Sequence, residues 1–257
     1  ANIKETSGVG WLAGFAYQIP EIALKASITY RSEIDHKVNI NESVGLADAL
    51  SSLSPAQLGG LLALLGPSAS TLGPVIQNTL IANAQNGKTT ITTPQSVNLD
   101  FQTGIMANTV AFANVRWVNW KDFSIQPYKF GELSKLAGAM LPALNKPNGF
   151  NLVDYSKDQW SANVGVGRKL NEQWAGNVSV GWDSGAGNPV TTLGPTEGYW
   201  NVGLGVQYSP QPNYFIAGGV KYFWLGDADA ITGAHSPAGS FSDNHAIAYG
   251  MKIGYKF

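Results

Sequence analysis

The sequence predicts an all-β chain: an antiparallel transmembrane β-barrel, here the C-terminal part of one, with helical segments in its long loops. Three observations carry this. Apolar residues alternate with small or polar ones in nine separate stretches. Charged residues make up 13% of the 257 residues, about half the roughly 25% of soluble domains. Short and long connections between the alternating stretches follow one another strictly, as in barrels with short turns on one side and long loops on the other.

The last stretch is the clearest. Ile247, Tyr249, Met251, Ile253, Tyr255 and Phe257 alternate with Ala, Gly and Lys. One face of this strand is large and apolar and the other is tiny or charged. That suits lipid on one side and a polar lumen on the other. The same alternation predicts strands at about 9–19, 21–38, 90–105, 109–122, 159–169, 174–183, 199–209, 213–225 and 246–257. Arg116 to Trp120 can be phased either way or hold a bulge. Tight turns are expected at 18–21, 106–109, 170–173 and 209–213, and long loops at 39–89, 123–158, 184–198 and 226–245. Trp11, Tyr17, Trp200, Tyr208, Trp224 and Tyr255 lie near strand ends, where interfacial aromatic girdles sit.

The composition excludes several classes. No run of about 18 apolar residues occurs, so no transmembrane helix is expected; Leu58 to Leu65 is too short. The absence of cysteine removes disulfides, thiolate metal sites and cysteine nucleophiles. A net charge of −1 leaves no nucleic-acid footprint. No G-x-S-x-G elbow or phosphate-binding loop occurs, so no enzyme and no cofactor is expected. His235 and His245 share a loop with Asp227, Asp229 and Asp243, but exposed loops commonly carry such groups, and no metal site is expected.

Two loops carry helical periodicity. In the 39–89 loop, Leu46, Ala49, Leu50 and Leu53, then Leu58, Leu61, Leu62 and Leu65, recur at helical spacing. Ser54-Pro55 starts the second helix and Gly66-Pro67 stops it. A third piece, about 72–85, carries Val75, Ile76, Leu80 and Ile81. Within the 123–158 loop, the stretch 131–144 repeats the theme with Leu133, Leu136, Ala137, Met140 and Leu141. These helices either pack on one another or leave an apolar groove for hydrophobic ligands. Strand phase places Lys25, Arg31, Asp100, Arg116, Lys221 and Lys252 on the lumenal face. Nine strands is odd, whereas bacterial single-chain barrels are even, so further strands are expected from elsewhere.

The stretch Gly10-Trp11-Leu12-Ala13-Gly14-Phe15-Ala16-Tyr17, followed by Ala26-Ser27-Ile28-Thr29-Tyr30-Arg31-Ser32-Glu33, resembles the FadL family of outer-membrane long-chain fatty-acid transporters. Asn119 to Phe123, Tyr155 to Trp160 running into Val164-Gly165-Val166-Gly167, and the terminal strand resemble it too. The order fits the last nine of the family's fourteen strands, with the N-terminal hatch and first five strands lacking a counterpart. The resemblance implies the outer membrane of a Gram-negative bacterium and passive uptake of a hydrophobic small molecule. A long-chain fatty acid is the first expectation, and a neutral aromatic or alkane hydrocarbon is the alternative. A general porin or an outer-membrane barrel enzyme are the readings from other classes. The expected partners are this ligand, outer-membrane lipid, and a second polypeptide or segment supplying the hatch and the other strands. Arg31 and Lys157 are candidates for a ligand carboxylate, with pairing to Glu33, Asp35, Asp100 or Asp158 as the structural alternative. Leu58, Leu61, Leu62, Leu65, Val75 and Ile76 from the loop helices, with Phe215 and Phe223, are the candidate apolar contacts.

Overall fold

Period-two alternation produces a single antiparallel meander. The computed structural model describes residues 2–43, 45–64, 66–85, 87–191, 194, 196–233 and 235–255. The main sheet has nine strands. In chain order they are β1 (Leu12–Ile19), β2 (Leu24–Arg31), β3 (Ser96–Met106), β4 (Thr109–Val118), β5 (Gln159–Lys169), β6 (Trp174–Asp183), β7 (Tyr199–Gln211), β8 (Tyr214–Leu225) and β9 (His245–Tyr255). Each pairs antiparallel with its neighbour in sequence. Among the described residues β1 and β9 have no second neighbour, so the sheet is an open wall.

The turns follow their residues. Pro20–Ile22 is a short 3-10 turn ended by Ala23 at φ 54°, whose N–H donates to the Pro20 carbonyl. Asn108 takes φ 57° between β3 and β4, a conformation that asparagine tolerates. The Asn171 carboxamide oxygen accepts from the N–H groups of Gln173 and Trp174, both at 2.9 Å, and so closes the turn between β5 and β6. Between β7 and β8 the register shifts from Tyr208 to Gln211, where Pro210 has no N–H to give.

Register sorts the side chains. Trp117 faces Trp160, Trp182 faces Trp200, and Trp200 faces Trp224, all on one face near the long-loop end. Trp174 faces Tyr208, and Tyr214 faces Tyr255, near the short-turn end. Between these belts the same face carries Val178, Val180, Leu204 and Met251, all exposed. Trp174 and Trp182 span one strand's worth of residues, close to the roughly 9–11 that a tilted strand needs to cross a bilayer.

The opposite face is polar and low. Bulky side chains lie flat on glycines of the next strand. A Cβ on Gly165 would collide with the Phe112 ring and stand 2.5 Å from the Val178 carbonyl oxygen. Phe215 covers Gly254 and Asn177 covers Gly205 in the same way. The glycines therefore keep large groups out of the space enclosed by the wall.

The second and third strands of the sequence reading each divide. The stretch 21–38 becomes β2 and a separate strand Ile34–Asn41, and 90–105 becomes Lys88–Thr93 and β3. The break has a local cause. The Ser32 N–H donates to the Trp11 carbonyl at 3.0 Å, and the Ser32 Oγ accepts from the Trp11 N–H at 2.9 Å, which ends the ladder. Pro94 breaks the return path. The two outer pieces pair with each other, and Asn2–Ile3 joins them in a small sheet above the wall. The fourth strand ends at Val118, and a 3-10 turn follows at Trp120–Asp122. The 226–245 loop holds a hairpin, Ala228–Ile231 with Pro237–Phe241, that no sequence signal announced.

Helices α1 (Gly45–Ser51), α2 (Pro55–Leu64), α3 (Ala69–Asn83) and α4 (Tyr128–Met140) form a cap with the small sheet. The third helix begins at 69 rather than about 72. A reciprocal cap starts α2: the Gln57 N–H donates to Ser54 Oγ and the Ser54 N–H to Gln57 Oε1. Leu136 on α4 is 1% exposed and Ile76 on α3 is 3% exposed, at the centre of the cap.

Gly165→Ala should lower stability by about 1–3 kcal/mol through overpacking. Gly176→Ala, where the nearest atom is 3.5 Å away, should stay within about 0.5 kcal/mol. Urea midpoints of the detergent-folded protein measure both, and equal effects would contradict the flat-wall packing.

Candidate functional site

The cap is one body made from two loops. The Glu42 carboxylate, at the end of the small sheet, accepts from the N–H groups of Lys129 (2.8 Å) and Phe130 (2.9 Å) at the start of α4. A carboxylate at a helix N-terminus is favoured by both the free N–H groups and the helix dipole. Thr79 Oγ1 on α3 donates to the Glu132 carbonyl of α4, and Thr89 Oγ1 donates to the Gln126 carbonyl. Helix α2 is different. It has no charged residue and no buried one, and Leu64 at its end is 86% exposed. It offers an apolar surface, and its Leu62 lies near Gly73 of α3.

The polar face of the wall carries charge. Register puts Lys25, Arg31, Asp100, Arg116, Lys221 and Lys252 all on it, as phase predicts. Asp100 is satisfied by neutral donors, Asn114 Nδ2 at 2.6 Å and Ser27 Oγ at 3.5 Å. The ion pairs among the described residues are Lys135–Glu132 and Lys169–Glu172, so the five cations above have no carboxylate within salt-bridge distance there. Lys252 Nζ lies 5.7 Å from the centre of the Phe215 ring. A cavity of about 980 Å³ opens along this face near the short turns, lined among others by Phe112, Gly167, Gly205, Gln207 and Ala217.

At the long-loop end, Asp158 organises the mouth. It accepts from Asn119 Nδ2 (2.9 Å), Trp117 Nε1 (3.1 Å) and the Lys121 N–H (3.3 Å). Burial opposes its charge. The hydrogen bonds from Asn119, Trp117 and Lys121, with the Lys121 charge, outweigh burial and hold the carboxyl below its ordinary value of 3.8.

The candidate residues from the sequence fall in three places. Arg31 ends β2 on the polar face, opposite Ser96. Lys157 is exposed in the loop before β5, where its N–H donates to the Ala186 carbonyl. Two strands stand between β2 and β5, roughly 14 Å at about 4.8 Å per strand, so the two cations do not share one pocket. Leu58, Leu61 and Leu62 are half-buried on α2, and Val75 is half-buried on α3. Ile76 is packed inside the cap, and Leu65 and Phe257 lie outside the described residues. Phe215 and Phe223 are on the polar face, and Phe223 packs edge-on to Tyr199 at 5.2 Å. His235 Nε2 is 2.8 Å from the Asn151 carbonyl and its ring packs on Phe150, so it fastens two loops together. His245 stacks on Tyr222 on the outer face. Sequence reasoning missed Glu42 and Asp158 as organisers. Their partners lie 87 and 39 residues away in the chain, and only the fold reveals them.

An up-and-down sheet with an apolar outer face, two aromatic belts, a charged inner face and segregated loop lengths is the wall of an outer-membrane β-barrel. The family described as outer membrane protein transport protein (OMPP1/FadL/TodX) matches residues 2–257, and the chain belongs to that family. This places it in the outer membrane of a Gram-negative bacterium. A Pseudomonas aeruginosa FadL homologue superposes with a TM-score of 0.58 at 14% identity, over 96% of this chain and 52% of that one. The CymD monoaromatic hydrocarbon channel gives 0.47 at 11% identity, over 97% and 52% of the two chains. The Pseudomonas putida toluene transporter TodX gives 0.43 at 13%, over 96% and 59%. The first of these shows a shared fold, and the chain spans about half the length of that structure. Curated sequences yield no match.

Two outcomes follow. Glu42→Ala should weaken the start of α4 by about 1–2 kcal/mol, seen as roughly tenfold faster hydrogen exchange at Lys129 and Phe130. Asp158 contributes stability above its ordinary value of 3.8, and that contribution disappears as pH falls through its lowered folded value. Asp158→Asn should therefore speed exchange of the 119–123 segment at pH 7, and the difference from wild type should vanish in strong acid.

Proposed function

We propose that the chain is part of an outer-membrane channel for passive uptake of hydrophobic molecules, with a long-chain fatty acid as its cargo. The observation that carries the fatty-acid reading is the inner wall: Lys25, Arg31, Arg116, Lys221 and Lys252 share the polar face with the single carboxylate Asp100 of that set and form no ion pair among the described residues. A carboxylate head finds cations there, and charge-assisted hydrogen bonds are the strong ones. Burial of the acyl tail adds about 0.8 kcal/mol per CH₂ without specific chemistry. The uncharged helix α2 supports capture at the cell surface. It favours a neutral hydrocarbon equally, which keeps that cargo as the second reading.

The open edges of β1 and β9 bear on the partner. Lipid offers no hydrogen bonds to a sheet edge. Further strands, from a further segment or a second polypeptide, pair with both edges.

Uptake of labelled oleate and of toluene by cells lacking their own fatty-acid transporter tests the cargo. Lys221→Gln with Lys252→Gln should cut oleate uptake about tenfold and leave toluene uptake unchanged. Toluene uptake without oleate uptake in the parent would reject the fatty-acid reading and leave the hydrocarbon one.

A further inference from the structure

At the mouth, the 119–158 and 184–198 connections line a cavity of about 460 Å³, and the two contribute different chemistry. One is aromatic. Trp120 lies 5.0 Å from Tyr155 and 5.3 Å from Phe123, and Phe123 lies 5.9 Å from Tyr155, centre to centre. The other brings Asp183 and Glu197. Asp183 is 7% exposed. It accepts from Gln159 Nε2 at 2.8 and 3.0 Å and from the Gly185 N–H at 2.8 Å. The Glu197 carboxylate accepts a shared bond from the Gly187 N–H, 3.0 Å to each oxygen. Among the described residues every donor to these two carboxylates is neutral.

The shape depends on glycine. Gly185, Gly187 and Gly198 take φ of 69°, 115° and 68°. A Cβ on Gly185 would come within 2.6 Å of Glu197 Oε2, and one on Gly198 would collide with the Asp183 carbonyl. The chain is folded back tightly so that both carboxylates border one space. Among the described lining residues there is no Lys, Arg or His. The ion pairs of the described residues lie elsewhere. Two acidic groups with no cation within salt-bridge distance among the described residues, in a pocket that is also lined by aromatic rings, favour a positive guest through Coulomb attraction and cation–π contact. No group of three or more His, Cys, Asp or Glu gathers among the described residues, so the donor set is poor for a metal ion.

We propose that this mouth pocket binds a protonated amine carried on an apolar or aromatic body. The ammonium sits between Asp183 and Glu197 and the body lies against Trp120, Phe123 and Tyr155. The pocket repels carboxylates, which separates it from the cationic inner wall. It does not rest on the fatty-acid reading.

Calorimetric titration of the full chain in dodecyl maltoside tests this with three probes of similar size: phenethylammonium, ethylbenzene and phenylacetate. Phenethylammonium should bind at least tenfold more tightly than phenylacetate. Glu197→Gln should remove most of that preference and leave ethylbenzene binding unchanged. Asp183→Asn should act likewise, but Glu197→Gln is decisive because Asp183 also shapes its turn. Absent amine binding, equal or tighter binding of phenylacetate, or a preference untouched by Glu197→Gln would overturn the assignment. The urea midpoint of Glu197→Gln should stay at the parent value. A lowered midpoint together with lost amine binding would make Glu197 a structural residue and overturn the assignment as well.

Discussion

Backbone hydrogen bonding in a medium without water governs this molecule. Hydrocarbon satisfies no N–H or C=O group, so a chain that crosses it with strands must pair every one of them laterally. The meander does this with the least topology, since each strand meets its neighbours in sequence. Once the ladder is fixed, the alternation of side chains is fixed too. Apolar residues on one face meet lipid, and everything needed for water or cargo goes to the other. The nine-strand wall leaves the constraint unmet at β1 and β9, and the proposed pairing with further strands follows from it.

The inner face shows how such a wall stays usable. Residues as large as Phe112, Phe215 and Asn177 point inward, yet glycines on adjacent strands let them lie down. Above the wall, chemistry changes over a short distance. The inner face holds cations without an ion pair among the described residues, while the mouth holds Asp158, Asp183 and Glu197. The two regions favour guests of opposite charge, and the apolar helix α2 is indifferent to charge.

The barrel wall was legible in the sequence because its signal is local. Period-two alternation in the terminal stretch, Trp200 to Tyr208 and Tyr214 to Trp224 needs no partner to be seen, and all nine strands form. The helices of the first long loop were legible from their leucine spacing and from Ser54-Pro55. The breaks at Ser32 and Pro94 were not, because alternation continues through both while the chain leaves the sheet. The hairpin at 228–241 lacks a tight-turn dipeptide. Arg31 and Lys157 were singled out by motif, but the strands between them are set by pairing, which motifs do not encode. The mouth pocket was hidden for a similar reason. Asp183 and Glu197 lie at the two ends of one long loop, but the aromatic wall comes from residues near 120 and 155.

The alternation of short and long connections also orders the route to the folded state. Four hairpins, β1–β2, β3–β4, β5–β6 and β7–β8, close through turns of a few residues. Joining β2 to β3 instead closes a loop of roughly 60 residues. Loop entropy grows by about 0.6 kcal/mol per doubling of length, so that junction carries roughly 2 kcal/mol more than a tight turn. The small sheet brings the two ends of that loop side by side, since Ile34 pairs with Thr93. If it forms early, the junction between β2 and β3 resembles a short turn. Hairpins would then join the growing wall as units, and the cap would act as a clasp for assembly before it serves at the cell surface.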